Sequence, residues 1–154
     1  ALRILCNKYD ALLLINDDIE LAKICNADGV HLGQSDVALV KAREYLGENA
    51  IIGITCHDSL ELAQKAVNEG ADYISFGCFF PSKTKPQAKP APLSVLTKAR
   101  EQFKLPIVAI GGITQQNAQL LIQAGADLLA VSAGLFDSPD IDLLSGQILS
   151  MINS

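Results

Sequence analysis

Short apolar runs alternate with longer amphipathic stretches along the whole chain. The runs are Leu12–Ile15, Gly29–Leu32, Ile51–Ile54, Tyr73–Phe76, Ile107–Ile110 and Leu128–Val131. Each is continuous and most are rich in β-branched residues, as expected of a strand covered on both faces. Between them, residues 19–26, 36–46, 58–69, 93–103, 115–124 and 140–152 read as helices, the third with Asp58 or Ser59 as its N-cap. The opening stretch ALRILCNKYD reads as a further helix with Leu2, Leu5, Cys6 and Tyr9 on one side. Three helix-to-strand joints look alike: NADGV (26–30), NEGADYI (68–74) and QAGADLL (123–129). In the last two, Gly70 and Gly125 stand where a helix end calls for a left-handed residue. Repeated strand–helix units predict a parallel sheet with right-handed crossovers. Six strands fit either an open sheet or a (β/α)8 barrel without its first strands.

Composition narrows the classes of function. A chain of 154 residues with 49% hydrophobic and 19% charged residues has the makings of one globular domain, read as spanning 1–154. No apolar run approaches the ~18 residues of a membrane span, so no membrane association is expected. The net charge of −5, with no dense Lys/Arg run, argues against a nucleic-acid surface. Cys6, Cys25, Cys56 and Cys78 are widely spaced, with no CxxC, and read as reduced thiols. With no basic–apolar signal pattern at the start, the expected location is the cytoplasm.

Candidate chemistry collects where parallel strands end. The first strand ends in Asn16-Asp17-Asp18 and the second runs into HLGQSD with Gln34 and Asp36; the third ends in Thr55, followed by Cys56 and His57. Asp17 and Asp36 follow neighbouring strands, and hard oxygen donors of this kind suit Mg²⁺. Asp18 reads as an N-cap for a helix from Ile19; Asp36 reads as a metal ligand or as another N-cap. Gly111-Gly112 and Ser132-Ala133-Gly134 follow the last two strands, the usual phosphate site of barrel enzymes; the alternative is two ordinary glycine turns. The segment FFPSKTKPQAKPAPLS reads as a lid over a phosphorylated substrate or as a solvated linker. His31, inside a strand, reads as structural, and His57 as a loop-orienting residue.

Taken together, LLLINDDIELA, ADGVHLGQSD, IIGITCHDSLELAQKA, GADYISFGCFFPSKTKP, PIVAIGGIT and GADLLAVSAGLF resemble the thiamine-phosphate synthase family, in order over essentially the whole chain. The resemblance implies a TIM (β/α)8-barrel type of fold, of which this chain carries about six of the eight strand–helix units. It also implies a transferase of thiamine biosynthesis. That family condenses a hydroxymethylpyrimidine diphosphate with a thiazole phosphate, using Mg²⁺, and releases diphosphate. On this likeness Asn16 contacts the pyrimidine diphosphate, and Asp17 and Asp36 bind Mg²⁺. Thr55 stands where the family usually has a Ser serving the pyrimidine. Ser82 and Thr84 match hydroxyls on the thiazole phosphate, and Lys85 holds the diphosphate. Gly112, Val131 and Ser132 line the thiazole phosphate site. Lys85 and Thr55 are the implied catalytic residues, and no side-chain nucleophile is required.

The family also has two earlier strands, the second carrying Gln-x-Arg-x-Lys, a segment these 154 residues do not contain. The expectation is therefore weak or no activity of this chain alone, and self-association into a homo-oligomer, or aggregation, through exposed sheet edges. Three rival readings stay open: a thiazole tautomerase-like relative, a truncated non-catalytic phosphate-binding protein, and another phosphate-binding barrel enzyme such as an epimerase or decarboxylase. The expected partners are small molecules.

Overall fold

The computed structural model describes residues 1–81 and 89–152. Its strands are β1 (Leu14–Asn16), β2 (Gly29–Leu32), β3 (Ile51–Thr55), β4 (Tyr73–Gly77), β5 (Ile107–Ile110) and β6 (Leu128–Ala130). Its helices are α1 (Leu2–Lys8), α2 (Ile19–Ile24), α3 (Leu39–Leu46), α4 (Leu60–Asn68), α5 (Ser94–Gln102), α6 (Gln115–Gln123), α7 (Ala133–Phe136) and α8 (Ile141–Ile152). Strand order in the sheet follows chain order, β1 to β6. This is six strand–helix units of the TIM-barrel type, as the apolar pattern predicts. The chain divides into two compact units, Ala1–Thr55 with Glu61–Ile74, and Cys56–Leu60 with Ser75–Ser154.

In the first unit, β1 pairs with β2 and β2 with β3, both parallel, placing Asn16 beside His31 and His31 beside Gly53. Val30, Leu32, Ile52 and Ile54 point to one face and are buried; His31, Gly53 and Thr55 alternate with them and face the other way. The helices meet the apolar face through small residues: Ala22, Ala42, Ala63 and Ala66 are buried, and their size lets the helices lie close to the strands. In the second unit β5 and β6 are parallel, with Val108 beside Leu128. Phe76, Leu96, Ala99, Ile107, Ala109, Ala118 and Leu121 form its core.

The three similar joints turn out to be one device used three times. Gly70 and Gly125 are left-handed, with φ of 88° and 112°, as predicted; Asn26 takes that role in the first joint, with φ of 49°. The Asp that follows then reaches back to the start of the preceding strand. Asp28 accepts the backbone N–H of Leu13 at 2.6 Å, Asp72 that of Ile52 at 2.7 Å and Asp127 that of Ile107 at 2.7 Å. Each carboxylate also takes an arginine from the helix before that strand: Arg3 at 2.6 Å, Arg43 at 2.7 Å and Arg100 at 2.7 Å. The same arginines bind carbonyls at the joints, Arg43 those of Ala50 and Gly70, Arg100 those of Phe103 and Leu105. One carboxylate thus ties a strand start, a joint and a helix together.

Some boundaries differ from the sequence expectation. The first strand begins at Leu14 and not at Leu12, because Leu13 gives its N–H to the Asp28 side chain. The third helix begins at Leu39 and not near Asp36, because the Asp36 carboxylate turns back onto Gly33. The first helix is present, yet none of its residues is buried, so the predicted apolar side does not cover a core among the described residues.

Candidate functional site

At the exit of β1 the acids divide. Asp17 is left-handed, with φ of 66°, a conformation Asp tolerates better than most residues. Its N–H bonds the carbonyl of His31 at 2.8 Å, which carries the pairing one residue past the strand. Asp18 caps α2, its Oδ1 accepting the N–H of Leu21 at 2.8 Å. Asn16 and Asp17 are left exposed at the strand exit. At the exit of β2, Asp36 is half-buried and one of its oxygens accepts the Gly33 N–H at 2.7 Å. The N-cap of α3 is Ala38, so the capping alternative for Asp36 is excluded. Among the described residues no three His, Cys, Asp or Glu side chains gather into a metal cage. Asp17 and Asp36 are donors of the type Mg²⁺ accepts, since that ion takes one or two carboxylates and draws its other ligands from water and substrate phosphate.

Thr55, at the exit of β3, is held twice. Its carbonyl accepts a hydrogen bond from Gln34 Nε2 at 2.5 Å, and its hydroxyl lies 2.8 Å from His31 Nε2. His31 Nδ1 lies 2.9 Å from the Tyr73 hydroxyl, and the two rings stack at 5.5 Å between centroids. Burial pushes the Tyr73 phenol up to about 12, so it stays a neutral hydroxyl. His31 thus links the Tyr73 hydroxyl to the Thr55 hydroxyl at the strand exit. Tyr73 and Gly53 are the residues that motif reading missed. The signal for them was weak: a glycine in the middle of a β-branched strand, which marks a close approach.

The second unit holds the glycine loops. Gly111 and Gly112 are left-handed, with φ of 99° and 64°. A Cβ on Gly112 would stand 2.5 Å from the carbonyl oxygens of Phe80 and Pro81, so only glycine fits. Phe80 N–H bonds the Gly111 carbonyl at 3.1 Å, and Asn117 Nδ2 bonds that of Gly112 at 3.0 Å. Asn117 also accepts the N–H of Thr114 at 2.8 Å, fixing the loop to the start of α6. Ser132 precedes the short helical turn α7, whose Leu135 and Phe136 N–H groups bond its carbonyl. Its side chain caps nothing, and Val131 beside it is half-buried. Cys56 is buried and its thiol is pushed up to about 12, which makes it inert packing. Ser82, Thr84 and Lys85 lie outside the described residues.

A parallel α/β chain of this type, with carboxylates, a hydroxyl and glycine loops at its strand exits, has the plan of a barrel enzyme. Comparison with known proteins is specific. The sequence profile of the family described as thiamine monophosphate synthase matches residues 1–135. The thiamine-phosphate synthase of Saccharophagus degradans is 53% identical over 98% of this chain and 70% of its own length. That of Marinobacter nauticus is 60% identical over 90% of this chain and 62% of its own. Among solved structures, thiamine phosphate pyrophosphorylase from Pyrococcus furiosus superposes with a TM-score of 0.89 at 36% identity, covering 99% of this chain and 72% of that one. A 3-hexulose-6-phosphate synthase shares the fold, with a TM-score of 0.71 at 19% identity. The chain belongs to the thiamine monophosphate synthase family, a family of transferases. It spans 70% and 62% of the length of these two curated relatives. Among the described residues no helix is long and apolar enough to cross a membrane.

Proposed function

We propose that this chain supplies the substrate- and metal-binding exits of a thiamine-phosphate synthase. The reaction is the condensation of 4-amino-5-hydroxymethyl-2-methylpyrimidine diphosphate with 4-methyl-5-(2-phosphoethyl)thiazole to thiamine phosphate and diphosphate. The observation that carries this reading is the placement of Asn16, Asp17, Asp36 and Thr55 at three consecutive strand exits of a chain that belongs to this family. Asp17 and Asp36 would hold Mg²⁺, which when bound neutralises charge on the departing diphosphate. Asn16 and Thr55 orient the pyrimidine. Gly112, Val131 and Ser132 leave backbone accessible to the thiazole phosphate, and Ser82, Thr84 and Lys85 contribute on the grounds of family likeness. Loss of diphosphate from a benzylic-type carbon leaves a cation that the thiazole nitrogen attacks, so no protein nucleophile takes part. The protein acts by positioning and by charge. Cytoplasmic location and assembly into homo-oligomers belong to the same reading.

Calorimetry with each substrate, with and without Mg²⁺, tests this directly, coupled to an assay for thiamine phosphate. Mg²⁺-dependent binding of the pyrimidine diphosphate, with thiamine phosphate formed when both substrates are present, is the expected result. Binding of thiazole phosphate alone, unaffected by Mg²⁺, would overturn it in favour of a non-catalytic phosphate-binding protein.

A further inference from the structure

Tyr73, His31 and Thr55 form a continuous hydrogen-bonded chain from the strand interior to the exit of β3. We propose that this chain is a directional relay: Tyr73 and His31 are positioning residues that set the Thr55 hydroxyl as a donor toward an acceptor atom of the pyrimidine diphosphate. The inference rests on the reading of Thr55 as a substrate contact.

The geometry is built for it. Parallel register sets His31 beside Gly53. A Cβ on Gly53 would stand 1.9 Å from Cζ of Tyr73, so the phenol ring occupies the space that any other residue would fill. The ring lies nearly parallel to the imidazole, at 16°, with its hydroxyl 2.9 Å from Nδ1. Gln34 fixes the Thr55 carbonyl at 2.5 Å, so backbone and hydroxyl of the same residue are both anchored.

Three groups in series invite comparison with a nucleophile–base–orienter triad, but the third member is wrong for that. In the Ser-His-Asp triad a buried carboxylate stabilises the imidazolium. Tyr73, held up at about 12 by burial, is neutral. The chain therefore orients and does not activate. In its neutral form an imidazole has one donor and one acceptor nitrogen, and the chain then runs in one of two directions. A phenol is a far stronger acid than an aliphatic alcohol and is the better donor. Tyr73 O–H then donates to Nδ1, and Nε2–H donates to the Thr55 oxygen. The Thr55 proton is turned away from His31 and is available to an acceptor beyond the strand.

The chain has only two histidines, so nitrogen NMR of histidine-labelled protein resolves His31, with His57→Ala supplying the assignment. The expected result is the Nε2–H tautomer, lost in Tyr73→Phe. Gly53→Ala removes no polar group, yet by displacing the phenol it should release the tautomer in the same way. Calorimetry with the pyrimidine diphosphate and Mg²⁺ gives the second arm. Thr55→Ala and Tyr73→Phe should each weaken binding, by up to about tenfold, with the double variant no weaker than Thr55→Ala and Thr55→Ser near wild type. Wild-type affinity in Thr55→Ala defeats the substrate reading of Thr55. An Nδ1–H tautomer, or losses that multiply in the double variant, defeats the relay itself.

Discussion

The two ends of the strands are built on opposite plans. At the entrances one device recurs: Asp28, Asp72 and Asp127 each join a strand-start N–H to an arginine of the helix before. Among the described residues the exits differ from one another. One has a left-handed Asp17 and a capping Asp18, one a carboxylate folded onto Gly33, one a hydroxyl in a relay, one a double glycine. The entrances bring each acid to a base and to a backbone donor, so charge there is consumed in fixing geometry. At the exits Asp18 and Asp36 turn to backbone donors and the Thr55 hydroxyl to His31, while Asn16 and Asp17 are exposed. Barrel folds divide a stabilising face from a chemical face, and on the proposed function these exits belong to the latter.

The sharpest way to break the comparison is at Asp72. Its carboxylate is 45% exposed, so the ion pair with Arg43 is worth little by itself. The N–H of Ile52 is another matter, because Ile52 is fully buried and loses its acceptor when the carboxylate goes. Asp72→Ala should cost about 2–3 kcal/mol in urea unfolding, most of it from that orphaned donor. Asp72→Asn keeps an acceptor oxygen and should cost about 1 kcal/mol or less. Equal losses in the two variants would assign the latch to charge and not to the hydrogen bond.

Adjacent acids at an exit give a finer contrast. Asp18→Ala removes the cap on Leu21 and should cost about 1 kcal/mol of stability, with Mg²⁺-dependent binding of the pyrimidine diphosphate unchanged. Asp17→Asn should do the reverse, leaving the unfolding midpoint in place and weakening that binding about tenfold or more. If both variants move the same quantity, the division of labour at this exit is wrong.

How much of this was legible in the sequence follows from range. Apolar runs and left-handed Gly70 and Gly125 are local features, and the strands Gly29–Leu32 and Ile107–Ile110 coincide with their apolar runs. The likeness of the three joints was visible as well. Their arginines were not, because Arg3, Arg43 and Arg100 precede their partners by 25, 29 and 27 residues and no local pattern marks them. Asp36 shows the limit for the site: its residue type suits a cap or a ligand, and only the start of α3, with Ala38 as its N-cap, excludes the cap. The relay was illegible for a different reason. His31, Gly53, Thr55 and Tyr73 lie on three strands, and each looks ordinary in its own strand.

The smallest expected effect concerns pH and the entrance at Asp28. The Leu13 N–H first, and the Arg3 side chain next, hold its carboxyl below the usual value. A folded-state value below the unfolded one means that the unfolded chain binds a proton more readily. The stabilisation is therefore fully present above the unfolded value of about 3.9 and is lost as pH falls through the lower folded value. Asp28→Asn has no such proton to take up. Urea midpoints of wild type and Asp28→Asn, followed from pH 7 to pH 2, should differ by a constant amount at the upper end and converge below about pH 4. A gap that stays constant to pH 2 would mean that Asp28 holds its joint as a neutral acceptor does, and the entrances would then owe their uniformity to hydrogen bonding with no part played by charge.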